Sequence, residues 1–387
     1  MGPTSNVQLR KDSRAGGPSS NTTVRHLYVH IPFCARICPY CAFYKERADP
    51  TQTERFCAAI AEELHALALR FDLQPETIFF GGGTPTALST AQLELLLRGF
   101  QSALDLTRLT EWTIEANPGS VSPRKAALLK ELGVTRVSLG VQSWDNELLT
   151  LLGREHNAAQ AEDSFHILRA AGIGSLNIDL MFGLPGQTLA QWETTLARTV
   201  ALQPDHISAY CLTYEEDTEF FLRRARGEYR EDIETDARFF ETTMRMLEAG
   251  GFRQYEISNY ARASHESAHN RGYWAGDDYL GIGPSAFSTV GDQRWQNVAD
   301  YRIYSDRILA HESALISTEP LSAATKRAEQ IALSLRTRWG IPAEWLETWP
   351  SERAEFIDLG LLRAEGDRVV LTAKGKMVAD TVAAAFV

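Results

Sequence analysis

The sequence predicts an α/β protein, a partial six-stranded (β/α)6 TIM-like barrel followed by a C-terminal winged-helix-like α+β module. Three observations carry that prediction. From Arg25 to about Tyr214 short β-branched runs alternate with helical stretches, the pattern of βαβ units around a parallel sheet. Capping residues stand where those helices begin. Beyond Leu321 two helical patterns precede two short strands and a last helix, the order of a wing set on helices.

Residues 1–24, rich in Gly, Pro, Ser, Thr and Asn, offer too little apolar surface to offset the entropy of ordering, and read as a disordered tail. An organelle transit peptide is the alternative for this stretch; no secretory signal pattern is present. Strands are expected at 25–30, 77–80, 111–116, 135–141, 174–181 and 206–213. Helices are expected at 51–70, 90–104, 122–132, 158–171 and 189–202, with Ser89, Ser122 and Thr188 as N-caps. A charged connection from Glu215 to Tyr229 leads to a helix from Asp232 to Gly250, stopped by Gly250 or Gly251. The module's helices are placed at 322–338 and 351–359, its strands near Leu361–Arg363 and Arg368–Leu371, and its last helix from Thr372. The domains are then the tail, a barrel at 25–260, a connecting segment at 261–320 and the module at 321–387.

The chain has 387 residues, 44% of them hydrophobic, enough for two or three domains. A formal net charge of −11 argues against a broad nucleic-acid surface. Five cysteines, an odd number with three clustered, point to a reducing, cytoplasmic setting. No apolar run is long enough to span a membrane.

The chemistry concentrates in Leu27–Lys45, LYVHIPFCARICPYCAFYK, where Cys34, Cys38 and Cys41 follow the spacing C-x3-C-x2-C. Short spacers let three thiolates turn inward on one compact metal cluster. A [4Fe–4S] cube held by three cysteines keeps one iron open for an outside ligand. Structural zinc wants a closed tetrahedral set, which His30 would complete in H-x3-C-x3-C-x2-C. Cys57, on a helix, and Cys211, in a strand, stand apart from the loop.

The stretch YVHIPFCARICPYC resembles the cluster loop of the radical S-adenosylmethionine superfamily. Within it the chain is most similar to the branch of the coproporphyrinogen dehydrogenase (HemN) and the HemW-type haem chaperones, from Leu27 almost to Val387. The resemblance implies a [4Fe–4S] cluster on Cys34, Cys38 and Cys41. It also implies that the open iron chelates S-adenosylmethionine, whose reductive cleavage gives a 5′-deoxyadenosyl radical.

If the barrel is right, residues at the C-terminal strand ends line the site. Gly81-Gly82-Gly83-Thr84 follows one strand and resembles the motif that holds the methionine amino group. Glu115 closes the next, Gln142 follows the fourth, Asn177 and Asp179 lie in the fifth, and Arg154 stands in LLGREH. Polar residues closing apolar strands are either hydrogen-bonded pins or ligand contacts. By resemblance Tyr28, Tyr40, Gly82, Gly83, Thr84, Glu115, Gln142, Arg154, Asp179 and Thr213 are the positions for S-adenosylmethionine. Asp179 would hold the ribose and Arg154 the methionine carboxylate.

Further on, His269-Asn270-Arg271-Gly272-Tyr273-Trp274 resembles the HNxxYW signature that the HemW branch associates with haem. His269 is then the natural axial donor; the alternative is a histidine hydrogen-bonded in a loop, with Tyr273 and Trp274 as core. Where relatives end this region in GAHS, this chain has Phe287 for the histidine. In the module Lys374 and Lys376 suggest DNA binding. Against that, Glu344, Glu347, Glu352, Glu355, Asp358, Glu365 and Asp367 make it acidic, which favours a lid or partner surface. The resemblance implies a module over the barrel mouth.

Two functions follow. One is a haem chaperone that passes haem to acceptors such as respiratory cytochromes, fed by an electron donor, without nucleic acid and with at most peripheral membrane contact. The other is an oxygen-independent coproporphyrinogen III dehydrogenase. The dehydrogenase branch has a further cysteine two residues after the third and a folded N-terminal extension. Here that position is Phe43, and the tail reads as disordered.

Overall fold

Side-chain alternation along the strands decides which face of the sheet meets helices and which is left for chemistry. The computed structural model describes residues 22–387 apart from Ala48. The tail expected at 1–24 lies outside the described residues up to position 21, and its last residues open the first strand. That strand, β1 (Thr23–Ile31), pairs in parallel with β2 (Asp72–Gly82), and the pairing continues in chain order through β3 (Glu111–Ala116), β4 (Arg136–Gln142), β5 (Ser175–Phe182) and β6 (His206–Cys211). Between them run α1 (Pro50–Arg70), α2 (Thr90–Ala103), α3 (Pro123–Glu131), α4 (Ala158–Ala170) and α5 (Leu189–Ala201), followed by α6 (Ile233–Ala249). Ser89 and Thr188 make capping boxes with Gln92 and Gln191, and Ser122 accepts from the Lys125 N–H. Gly250 closes α6.

On the outer face Leu27, Ile78, Trp112, Ile114, Val137, Ile178 and Ile207 are each at most 1% exposed. Fully burying such side chains stabilises by roughly 1.5–3 kcal/mol each, so this layer holds the helices to the sheet. The inner face is different. Register aligns Tyr28, Phe79, Thr113 and Arg136 across four strands, and Glu115, Ser138, Asn177 and His206 across the next level. A parallel sheet with two covered faces reads as continuous apolar runs; this one is polar inside.

The sheet does not stop at six strands. Its order is β12-β11-β10-β9-β1-β2-β3-β4-β5-β6-β8-β7, with β7 (Arg253–Gln254) and β8 (Asn259–Ala261) antiparallel at one edge. At the other edge β9 (Tyr279–Ile282) adds a seventh parallel strand beside β1, and β10 (Phe287–Val290), β11 (Gln293–Asn297) and β12 (Leu315–Pro320) continue antiparallel. Residues 261–320, expected as a connecting segment, thus extend the sheet and also supply α7 (Ala268–Ala275) and α8 (Tyr301–Leu309). Buried Glu63 of α1 ties the segment in, accepting from Gly283 N, Asn297 Nδ2 and the Tyr304 hydroxyl.

The C-terminal unit holds α9 (Ala323–Leu335), α10 (Pro350–Asp358) and an antiparallel sheet of three strands rather than two. There β15 (Arg368–Leu371) lies between β13 (Ile341–Pro342) and β14 (Leu362–Glu365). Its own core gathers Ile331, Leu335, Ile341, Leu346, Val369, Val382 and Phe386. The unit docks on α7, not over the cysteine loop. Ser334 Oγ donates to Trp274 O at 3.2 Å, Arg338 N to Tyr255 O at 2.9 Å, and Arg338 pairs with Glu266 at 2.9 Å. The expectation of a cover on the barrel mouth is therefore corrected: the surface offered to the module is the aromatic and acidic one around Tyr255, Glu266 and Trp274.

Candidate functional site

The cysteine loop leaves β1 at the C-terminal edge of the parallel strands. Cys34, Cys38 and Cys41 are free and partly exposed, while Cys57 is buried. Helical and glycine neighbours fix the loop: Phe220 N donates to Pro39 O at 3.1 Å, and the Tyr40 ring lies 6.1 Å from that of Phe220. A side chain at Gly153 would come within 2.8 Å of Pro39. Lys45 Nζ donates to Cys41 O. Around the thiols Thr84 Oγ1 stands 3.7 Å from Cys34 Sγ, and Arg154 Nη1 stands 3.7 Å from Cys38 Sγ while Nη2 donates to Gly140 O at 2.6 Å.

Burial, with the neighbouring thiols adding to it, pushes the Cys34 thiol up to about 11, and burial raises Cys41. Three thiols that repel each other's charge call for a cation to make them thiolates. A cube places its thiolates on separate irons, and three cysteines on one short loop suit that arrangement. His30 does not serve as a zinc ligand. Its Nδ1 bonds Tyr28 OH at 3.0 Å and its Nε2 bonds Tyr44 O at 3.0 Å, so both nitrogens are engaged.

Strand ends complete this group. Gly82 adopts φ 108°, and a Cβ there would sit 2.5 Å from the His30 ring, so only glycine lets the loop lie on that imidazole. At Gly83 a Cβ would meet the Pro32 backbone at 2.6 Å. Gly82 N donates to Glu115 Oε2 at 3.1 Å. Burial, then the neighbouring Asp179 charge, raise the Glu115 carboxyl to about 8. Asp179 accepts from Ser138 Oγ at 3.0 Å and Asn177 Nδ2 at 2.6 Å. Gln142 holds φ 68° without being glycine, a strained backbone of the kind found at ligand sites. Thr213 is exposed just beyond β6. Sequence reasoning missed His156, whose Nδ1 bonds Asn117 Oδ1 at 3.1 Å and Nε2 bonds Val141 O at 2.9 Å beneath Gln142. The LLGREH motif itself contained that signal.

His269 lies elsewhere. It projects from α7, a helix rather than a loop, against the N-terminal ends of the strands. Its Nδ1 bonds Thr77 Oγ1 at 2.8 Å, and the same hydroxyl meets His26 Nδ1 at 2.8 Å. One proton arrangement satisfies the set: His269 Nδ1–H donates to Thr77, Thr77 donates to His26 Nδ1, and His26 Nε2–H faces Asp277, 3.5 Å away. The His269 ring is 9% exposed, packs 5.1 Å from Phe79, and burial lowers its pKa to about 3, so it is neutral. Glu111 of β3 caps α7, accepting from Ser267 Oγ, Ala268 N and His269 N at 3.0, 2.8 and 3.2 Å. Tyr273 is exposed, and Trp274 helps line a cleft of about 810 Å³ with His26, Thr77, Arg271, Gly272 and Trp339.

Comparison with known proteins places these features. Residues 28–198 match the Radical SAM superfamily. A Bacillus subtilis protein named "Heme chaperone HemW" is 34% identical over 94% of this chain and 99% of its own length. An Escherichia coli protein of the same name is 36% identical over 68% of this chain and 70% of its own. The structure of coproporphyrinogen III oxidase (HemN) from Escherichia coli superposes with a TM-score of 0.82 at 24% identity, covering 95% of this chain and 90% of that one, which speaks for the fold. The chain belongs to the radical SAM superfamily. Within it, the Bacillus subtilis and Escherichia coli relatives put the chain on the HemW side. That membership implies a [4Fe–4S] cluster and S-adenosylmethionine.

Proposed function

We propose that this protein is a haem chaperone, holding a [4Fe–4S] cluster, S-adenosylmethionine and haem, and passing haem to acceptor proteins such as respiratory cytochromes. Cys34, Cys38 and Cys41 hold the cluster. When bound, it supplies the electron for reductive chemistry on S-adenosylmethionine. Tyr28, Tyr40, Gly82, Gly83, Thr84, Glu115, Gln142, Arg154, Asp179 and Thr213 form the S-adenosylmethionine pocket. Asp179, already oriented by Ser138 and Asn177, takes the ribose hydroxyls, and Arg154 beside Cys38 takes the methionine carboxylate. We read β1–β6 as the partial six-stranded barrel and residues 321–387 as a winged-helix-like unit that serves as a partner surface. Five free cysteines support a cytoplasmic setting.

The observation that carries the haem reading is the cleft at α7. Haem joins a flat apolar ring to two carboxylates, and a cleft of about 810 Å³ that sets Trp274 and Trp339 among Arg25, Arg271 and Arg368 is of the size that binds such ligands; His269 lies behind this wall, not in it. His269 has the chemistry of an axial donor: it is neutral, its Nδ1 is engaged, and its Nε2 lone pair is free under the arrangement above. At 9% exposure it meets iron only if α7 shifts, so ligation and loosening of α7 go together. Phe43, 70% exposed beside Cys41, opposes the dehydrogenase alternative, whose branch carries a cysteine there.

The test is titration of anaerobically reconstituted protein with haem and, separately, with coproporphyrinogen III. Haem should bind, and His269→Ala should shift the absorbance of the bound haem. Conversion of coproporphyrinogen III to protoporphyrinogen IX, with S-adenosylmethionine and a reductant, would overturn the chaperone reading.

A further inference from the structure

Arg136 opens β4 on the inner face of the sheet, level with Thr113 of β3 and Ser175 of β5. It is 3% exposed. A guanidinium taken out of water needs partners, because desolvating it costs several kcal/mol unless carboxylates or acceptors replace the lost water. Arg136 has none. Its Nε is enclosed without a hydrogen-bond partner, and among the described residues it joins no ion pair. The carboxylates on the same inner face are hydrogen-bonded elsewhere: Glu111 to the start of α7, Asp179 to Ser138 and Asn177, and Glu115 to Gly82 N, although Glu115 still feels the Arg136 charge without pairing with it. His206 is no acceptor either, since its nitrogens meet Asn177 Oδ1 at 2.6 Å and Tyr255 OH at 2.8 Å.

Above this cation the inner face is aromatic and open. Tyr28 and Phe79 stack with centroids 6.2 Å apart, and Tyr210 of β6 is 41% exposed although it points inward with Ser208 and His206. We propose that Arg136 is an anion-binding residue inside the barrel, taking the carboxylate of a ligand whose apolar body lies on Tyr28, Phe79 and Tyr210. The guanidinium fork matches a carboxylate in two parallel hydrogen bonds, which ammonium cannot do. The carboxylate is that of a small free acid; the α7 cleft proposed for haem is not lined by Arg136 and is a separate place.

The experiment measures thermal unfolding of the full chain in sodium propionate against sodium chloride at equal ionic strength, for the wild type, Arg136→Met and Arg136→Lys. Wild-type melting temperature should rise with propionate. The Met variant should show no such rise and, having lost a buried unpaired cation, should melt no lower than wild type in chloride; the Lys variant should respond in part. A wild-type melting temperature indifferent to propionate, or a propionate response that survives in Arg136→Met, would overturn the proposal. Should the Met variant fail to fold, a full propionate response in Arg136→Lys overturns it equally.

Discussion

Asp179 shows how much of a ligand contact is built before the ligand arrives. Ser138 and Asn177 fix its carboxylate, and removing it takes away the acceptor of the Ser138 hydroxyl, while Asn177 keeps Ser138 and Ser208 as acceptors. Asp179→Ala should therefore weaken S-adenosylmethionine binding by about 1–3 kcal/mol in calorimetry, with iron content unchanged; equal affinity would remove Asp179 from the pocket. Glu115 carries a pH signature. Its carboxyl is raised from 4.5 to about 8, so the folded protein keeps a proton that the unfolded chain releases in that interval. The stability this contributes is complete below about pH 4.5 and is lost as pH rises through 8. Between about pH 4.5 and 6.5 buried histidines with lowered pKa, such as His269, act in the opposite sense, so urea unfolding of cluster-free protein should show stability falling from about pH 6.5 to 8, with a shallower fall in Glu115→Gln. A residual slope should remain from buried Glu63, raised to about 7 by its burial. An identical slope in the variant would mean that Glu115 ionises as freely in the fold as outside it.

At the level of elements, the helices and strands of the parallel sheet were legible because each is specified locally. Ser89, Ser122 and Thr188 cap where expected, and the apolar period marks each outer face. The added strands were not legible, since their partners are remote: β9 pairs with β1 through contacts such as Leu27 with Leu280. Four residues, Tyr279–Ile282, carry too short a pattern to announce a strand. The place of α7 was hidden for the same reason. HNRGYW reads as a loop signature, yet Glu111, far away in sequence, supplies the carboxylate that anchors the helix N-terminus. Glu111→Gln replaces that charge with an amide that accepts at only one atom. We expect a loss of roughly 1–3 kcal/mol in unfolding free energy and faster hydrogen exchange at 268–275, with the amides of α2 unaffected. Unchanged exchange in α7 would mean that Thr77 and the C-terminal unit hold it alone.

Across the whole molecule the two candidate sites occupy opposite ends of the same strands. On β2 Thr77 touches His269 and Gly82 touches Glu115, and five residues of strand at about 3.3 Å each separate them by roughly 16 Å. The cysteine spacing made one end readable, because C-x3-C-x2-C is a local pattern; which end HNRGYW would face depended on topology. The separation has a measurable consequence. Anaerobic reconstitution should give about four iron and four sulfide per chain. Cys34→Ala, Cys38→Ala and Cys41→Ala should each abolish it. Cys57→Ala, in the α1 core, and Cys211→Ala, whose Sγ lies near Gly183, should keep it. Zinc without sulfide in protein purified under anaerobic conditions would defeat the cluster assignment. Haem held at α7 sits too far from that loop to need it, so the three cluster-less variants should lose S-adenosylmethionine binding and retain haem affinity within about twofold. If haem binding disappears together with the cluster while the variants remain folded by circular dichroism, haem is held at the mouth, and α7 is a structural plug for the floor of the sheet.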